Sequence, residues 1–350
     1  MNKLNSFLYS VISWLIALGL YMLIRFYGTK DTMDWAANTQ IFIGVWLLAG
    51  VFFGTAYWFT TIISDKPQLR RKSYGFLISL RVITMVFVTL IMLLVLRFIA
   101  FFTGAIETDE ILPTFVEHMT SKLMIVILLY IGIVSAILGF IRQTSLMVGA
   151  RVLKNLLLGK YRSPRDEERI FMFLDLKSST TYAERLGHAR FCRLIQDCFH
   201  DLTDSAIKHE VEIYQYVGDE AILTWTMDEG MRNVNCIQVY FDFQGRLEKK
   251  SDYYKKEYDL VPEFKAGVNS GPVTVAEIGD IKRDIAYLSD VLNTAARIEA
   301  QCNKYGKHLL ISSYVKDLLP KDGRYTFAPL GSVSLKGKEE EVEIFSVEWI

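Results

Sequence analysis

The 350-residue chain is 51% apolar and its mean hydropathy is positive, which is more apolar than a water-soluble protein usually is and leaves room for two domains, one of them not in water. Lys plus Arg and Asp plus Glu both total 39, so net charge argues neither for nor against a polyanionic partner; no nucleic-acid partner is expected. The four cysteines, Cys192, Cys198, Cys236 and Cys302, all lie in the C-terminal half without a CxxC pair, which argues against a zinc framework and fits reduced thiols in a cytosolic domain.

Four apolar stretches come first: Phe7 to Phe26, Ile41 to Ile63, Phe76 to Phe101 and Leu123 to Ile141. Each is close to the ~20 residues that a helix needs to cross a bilayer. No small-residue cleavage site follows the first stretch and three more spans do, so it reads as a span rather than a signal peptide. Arg81 and Arg97 interrupt the third stretch near its ends and are expected to snorkel to the headgroups. The loop with Lys66, Arg70, Arg71 and Lys72 is basic, whereas that around Glu107, Asp109, Glu110 and Glu117 is acidic, which places the former in the cytoplasm. The expectation is a multi-pass protein of the cell inner (plasma) membrane with both termini and the C-terminal half cytoplasmic. The spans read equally as an anchor or as a receptor for a membrane or extracytoplasmic signal.

After the fourth stretch, Leu146, Ala150, Leu153 and Leu157 recur at alternating four- and three-residue steps. That is the seam of a short parallel coiled coil, while Arg142, Arg151 and Lys154 equally suit an amphipathic helix on the inner leaflet. Gly159 and Ser163-Pro164 end the helix. The expected organisation is a four-span domain over 1–141, a helical connector over 142–168 and a third region over 169–350.

In that third region the pattern predicts a strand to Leu176, a helix from about Ala183 to Lys208, a hairpin across Gly218-Asp219 and a helix from about Met231 to Lys250. A second hairpin over Asn269-Ser270-Gly271, a helix from Ser289 to Asn303 and short strands near Leu309 and in the tail follow. This order suggests an α+β sheet covered by helices on one face.

The run IFMFLDLKSSTT, Ile170 to Thr181, carries Asp175 to the end of an apolar strand and then drops into Ser and Thr residues that can cap a helix. Asp219 sits in the turn between two strand-like runs. Taken alone, either carboxylate reads as a turn or cap residue sooner than as a metal or phosphate ligand. Three segments in order, FLDLKSST, YVGDEA and SDVLNTAARIE, resemble the catalytic domain of the class III adenylate/guanylate cyclases, and the likeness covers roughly Arg169 to the C-terminus. The resemblance implies a ferredoxin-like α+β cyclase domain behind the α-helical membrane domain, with Asp175 and Asp219 coordinating two Mg²⁺ or Mn²⁺ ions. Attack of a ribose 3′-hydroxyl on the α-phosphate calls for one cation to acidify the hydroxyl and another to hold the triphosphate. Backbone N–H groups from Leu176, Lys177, Ser178 and Ser179 can cradle phosphate at the helix start.

Asn293 and Arg297 are four apart and share a helix face, while Val291, Ala295, Ile298 and Cys302 form the opposite, apolar stripe. In isolation the polar pair reads as a solvated face. The resemblance makes Asn293 the residue that orients the ribose and Arg297 the one that stabilises charge on the α-phosphoryl group. In the family the metal and Asn/Arg sets meet across a subunit interface, so a homodimer with two composite sites follows. At the positions that set base choice this sequence departs from the family, with Gln215 where Lys or Glu is common and Ala286 where Asp or Thr is common. A Gln amide can serve adenine or guanine. ATP is favoured because a guanine-selecting Glu is missing; the product is then 3′,5′-cyclic AMP with pyrophosphate. GTP or a pyrimidine triphosphate stays open, as does a catalytically inactive receptor, whereas the Gly-Gly-Asp/Glu-Glu-Phe signature of diguanylate cyclases is absent.

Overall fold

The computed structural model describes residues 3–26, 35–65, 69, 72–102, 121–320, 323–334 and 341–350. It divides into two compact units, Met1–Val148 and Gly149–Ile350. The division falls inside the expected connector: 142–148 finish the last apolar helix, and 149–168 fold with the second unit.

The first unit contains α1 (Lys3–Phe26), α2 (Trp35–Ser64), α3 (Tyr74–Phe102) and α4 (Lys122–Val148), each long and apolar enough to cross a membrane. Trp14, Phe53, Tyr57, Met85 and Ile131 form its core, drawn from all four helices. Carbonyl groups of α1 accept bonds from its neighbours: Trp46 Nε1 donates to the Leu15 carbonyl at 2.9 Å and Tyr130 OH to that of Ala17 at 2.5 Å. Helices α1 and α2 approach most closely at Gly50 and Gly54, a Gly-x-x-x-Gly step. A Cβ on Gly54 would stand 2.5 Å from Val11 Cα and 2.9 Å from its backbone nitrogen.

Arg81 does not reach out as expected. It is 1% exposed, and its guanidinium lies over the Tyr57 ring, 5.9 Å from the centroid. The reason is the face it occupies on α3: that face turns toward α2 and α4, where a Cβ on Gly139 would be 3.7 Å from Arg81 Nη1. The Arg97 side chain and the loop charges Lys66, Arg70, Arg71, Glu107, Asp109, Glu110 and Glu117 lie outside the described residues.

The second unit opens with α5 (Ala150–Leu157). Gly149 adopts φ +94° between α4 and α5, so the expected seam is not carried on one continuous helix. Leu146, Ala150 and Leu157 are exposed and Leu153 is half-buried, while Val152 and Leu156 pack into this unit's second core.

Then come β1 (Arg165–Leu176), α6 (Ser179–Lys208), β2 (Glu212–Val217), β3 (Glu220–Thr226), α7 (Met227–Met231), α8 (Asn235–Lys249), α9 (Ser251–Tyr258), β4 (Phe264–Ile278), β5 (Asp284–Leu288), α10 (Asp290–Tyr305), β6 (Leu309–Ser312), α11 (Ser313–Leu318), β7 (Tyr325–Ser334) and β8 (Glu341–Trp349). Among the described residues the strands form one mixed eight-stranded sheet in the order β2-β3-β1-β4-β6-β8-β7, with β5 folded back onto β4. This α+β arrangement follows the expected class.

Strand β1 is buried on both faces, which is why its apolar run does not alternate. Ile170, Met172, Leu174 and Leu176 enter the main core with α6 and α8, and Phe171 and Phe173 enter a second core with Tyr287, Val291 and Ala295. Helix α10 therefore covers the face opposite α6 and α8, and the sheet is not clothed on one side only. Residues Asn269-Ser270-Gly271 make no hairpin. They run straight through β4, paired with Phe171, Ile170 and Arg169 of β1, so a ladder with a distant strand overrides local turn chemistry. The same ladder extends β1 back to Arg165, opposite Val275. The helix expected from Met231 starts at Asn235, after α7 and a short 3₁₀ turn.

Replacing Gly54 with Val should cost about 1–3 kcal/mol by driving α1 from α2. The full chain in detergent should then melt several degrees lower, whereas Gly44→Val, where a Cβ meets nothing within 4 Å, should leave the transition in place.

Candidate catalytic site

The register of three strands assembles the site. Asp175, next to last in β1, pairs with Glu220 of β3 on one side and Lys265 of β4 on the other. Asp219 occupies the turn entering β3, after Gly218 at φ +64°. Glu299 arrives from α10, which approaches closely because β4 has Gly267 beneath it; a Cβ there would stand 2.6 Å from the Ala295 carbonyl oxygen.

Lys265 Nζ lies 3.1 Å from Asp175 Oδ2 and 2.6 Å from Glu299 Oε1. Asp175 and Glu299 thus share one ammonium, and Asp219 and Glu220 lie close enough to add their charges to the cluster. Burial pushes the Asp175 carboxyl up to about 6; the Lys265 ammonium opposes that shift and the neighbouring Asp219 adds to it. Glu220 is pushed up to about 7, first by burial and then by the charges of Asp175, Glu299 and Asp219. Asp219 Oδ2 is buried with no hydrogen-bond partner among the described residues.

A site with excess negative charge and an orphaned carboxylate oxygen fits a divalent cation, and Lys265 Nζ marks where positive charge is wanted. Among the described residues no group of three or more His, Cys, Asp or Glu side chains is placed to hold a metal ion by itself. Magnesium is commonly held by one or two carboxylates, with water and substrate phosphate completing its shell.

Not every expected residue joins this centre. Lys177 donates its backbone N–H to the Glu263 carbonyl at 2.9 Å, so that group is already committed and takes no part in a phosphate cradle. Leu176 is a core residue. Ser178 precedes α6 in the left-handed region, φ 59°, and its side chain makes no capping bond; the first N–H groups of α6, beginning at Ser179, remain the orphan donors of a helix start. Val291, Ala295, Ile298 and Cys302 are buried as expected, and Asn293 is exposed with Arg297 half-buried. At about 100° per residue, Arg297 lies about 160° around α10 from Glu299, the residue facing Lys265. The chain therefore turns its Asn293/Arg297 face away from its own carboxylates.

Gln215 follows a β-bulge at Tyr214 and pairs with Ile222, on the second-core face, and it is exposed. Ala286 is buried between Ile285 and Tyr287, both of which face the second core, so it points to the other side of β5. Their strands meet next to both residues, where the rings of Tyr214 and Tyr287 pack edge to face at 4.9 Å. Lys265, Glu220 and Glu299 escaped the sequence reading. Glu220, adjacent to Asp219, had a local signal, whereas the roles of Lys265 and Glu299 depend on pairing across some ninety and thirty residues of chain.

Residues 162–348 match the family model described as the adenylate and guanylate cyclase catalytic domain. The chain is 32% identical over 244 residues to adenylate cyclase 2 of Rhizobium meliloti (strain 1021), covering 69% of this chain and 64% of that protein. It is 22% identical over 195 residues to receptor-type guanylate cyclase gcy-19 of Caenorhabditis briggsae, covering 54% of this chain and 16% of that protein. The chain thus spans less than two thirds of the length of either relative. Its fold is similar to that of a bacterial light-regulated adenylyl cyclase, with a TM-score of 0.56 at 21% identity over 65% of this chain and 67% of that one.

The charge crowding sets a pH dependence. Folded carboxyls near 6 and 7, against ordinary values of 3.8 and 4.5, favour the metal-free fold at low pH, and that contribution is lost as pH rises through the folded values. Asp219→Asn, which removes one of the crowded charges, should raise the melting temperature of metal-free protein at pH 8 and abolish the further rise that Mn²⁺ produces in the wild type. A variant no more stable than wild type without metal, yet still stabilised by Mn²⁺, would contradict the site.

Proposed function

Because the chain belongs to the adenylate and guanylate cyclase catalytic-domain family, we propose that it is a membrane-bound adenylate cyclase converting ATP to 3′,5′-cyclic AMP and pyrophosphate in a homodimer. The observation that carries this reading is the carboxylate cluster of Asp175 and Asp219 with its orphaned oxygen. Bound there, two Mg²⁺ or Mn²⁺ ions would acidify the 3′-hydroxyl and neutralise the triphosphate. In the reaction the 3′-oxygen bonds to the α-phosphorus, the bond from that phosphorus to pyrophosphate breaks, and the hydroxyl proton is released.

Asp175 and Asp219 hold the metal side of the site, and the Lys265–Glu299 pair keeps the Asp175 carboxylate in position. Asn293 orients the ribose, and Arg297 meets the charge that grows on the α-phosphoryl oxygens. Since α10 faces Asn293 and Arg297 away from Asp175, the second set is supplied by another copy of the chain, which supports the composite dimeric site. The four apolar helices support embedding in the plasma membrane, and the basic loop of the sequence supports a cytoplasmic catalytic unit.

The decisive assay is complementation. Asp175→Ala and Arg297→Ala should each be inactive in membranes supplied with labelled ATP and Mn²⁺. Co-expressed, they should recover about a quarter to a half of the activity expected for as many wild-type sites, since one site of each heterodimer is intact. Failure of verified heterodimers to form cyclic AMP would place the whole site in one chain.

Base choice should be modest. Gln215 is exposed and Ala286 lacks a polar group, so kcat/KM should favour ATP over GTP by roughly ten- to a thousand-fold, short of the 10⁴ of a dedicated hydrogen-bonding pocket. Gln215→Lys with Ala286→Asp should widen the ratio, and unchanged ratios for ATP, GTP, CTP and UTP would mean that other residues read the base.

A further inference from the structure

On the helical side of the second unit, the C-terminal end of α6, one face of α8 and Trp349 at the end of β8 enclose a groove of about 520 Å³. None of the residues assigned above to catalysis or base choice lines it.

Three features of the groove describe a ligand. The first is an acceptor in a fixed position. His209, 3% exposed, closes α6 with Nδ1 at 3.3 Å from Asn235 Oδ1. Asn235 Nδ2 donates to the Glu229 carbonyl at 2.9 Å, which orients the amide so that its oxygen meets the imidazole and makes Nδ1 the donor. Burial lowers the imidazole pKa, so the ring is neutral and Nε2 presents a lone pair. That nitrogen is buried and has no hydrogen-bond partner among the described residues; Asp242 Oδ2 on the groove wall, 4.0 Å away, is another acceptor. Asp242 Oδ2 already accepts from Ser205 Oγ at 2.7 Å and Arg246 Nε at 3.1 Å, so the acceptor that calls for a donor is His209 Nε2.

The second feature is positive charge. Lys208, Arg246 and Lys249 line the groove against the single carboxylate of Asp242. Asp242 is already held by Lys208 at 2.6 Å and by Arg246 Nε at 3.1 Å, whereas Lys249 is exposed with no ion pair among the described residues. The third is a flat apolar wall: Trp349 meets Phe241 edge to face at 5.5 Å and is 54% exposed. The volume lies within the ~300–1,000 Å³ range of small-molecule sites.

We propose that this groove is a second nucleotide site, taking a nucleoside monophosphate with its base against Trp349, its phosphate on Lys249 and Arg246, and a sugar hydroxyl or base N–H donating to His209 Nε2. The proposal does not depend on the catalytic reading.

The test is equilibrium binding of 5′-AMP, adenosine and inorganic phosphate to the full chain in detergent, without divalent metal. AMP should bind more tightly than either fragment. Lys249→Glu should weaken it by about tenfold or more, the size of one charge-assisted hydrogen bond, and Trp349→Ala should weaken adenosine as well. Asp219→Asn should leave AMP affinity unchanged. Lys249 is exposed, so its substitution reports on binding even if the Trp349 variant folds poorly. Binding lost on Asp219→Asn but kept on Lys249→Glu would assign the nucleotide to the catalytic centre, and phosphate binding as tightly as AMP would reduce the groove to an anion patch. Either result, or no AMP binding at millimolar concentration, overturns the proposal.

Discussion

The second unit depends on one constraint, the burial of β1 on both faces between two antiparallel partners. Because β4 pairs along the whole of β1 and β3 pairs with Arg169 to Asp175, that segment of β1 is fixed in register across three strands. At one end this sets Asp175 beside Glu220 and Lys265. At the other it buries Arg169, which is 1% exposed, against Glu167 at 2.9 Å, Glu212 at 3.1 Å and the Tyr287 ring. A guanidinium that deep is tolerated only with such compensation. It ties β1, β2 and β5 together far from the acidic end.

Those two ends show opposite electrostatic logic. Around Arg169 the charges are balanced, and burial is offset by good pairing. Around Asp175 they are not: one ammonium serves several carboxylates, and an oxygen of Asp219 is left without a donor. Unbalanced burial of this kind lowers the stability of the fold and is the pattern expected of a binding centre rather than of a structural ion pair. Lys265 belongs to both descriptions, since it neutralises part of the cluster and is anchored by Glu299.

The sequence disclosed those features whose signal is local. Four apolar runs of spanning length gave four long helices, and the strand-to-turn steps at Asp175 and Gly218-Asp219 were visible because apolar residues stop there. The stripe Val291, Ala295, Ile298 and Cys302 likewise fixed the buried face of α10. Features set by distant partners were not legible. Asn269-Ser270-Gly271 carries turn chemistry, yet β1 pulls it straight, and Lys265 is an ordinary lysine until β4 pairs with β1. The placement of Arg81 failed for a related reason: an arginine near the end of an apolar run looks the same whether its face meets lipid or another helix.

The position of Arg81 bears on how the membrane unit is made. In the bilayer reading, α3 carries a guanidinium that packs over Tyr57 of α2 rather than reaching water, and Arg81 Nε and Nη1 find no hydrogen-bond partner. A charged residue facing hydrocarbon costs on the order of 2.5–3.5 kcal/mol even on insertion-based scales. Helix α3 is therefore a poor candidate for independent release into lipid as the chain is synthesised. It enters most favourably once α2 is in place to receive it, which makes the order of helix insertion, and not only the final packing, a property written into this one side chain.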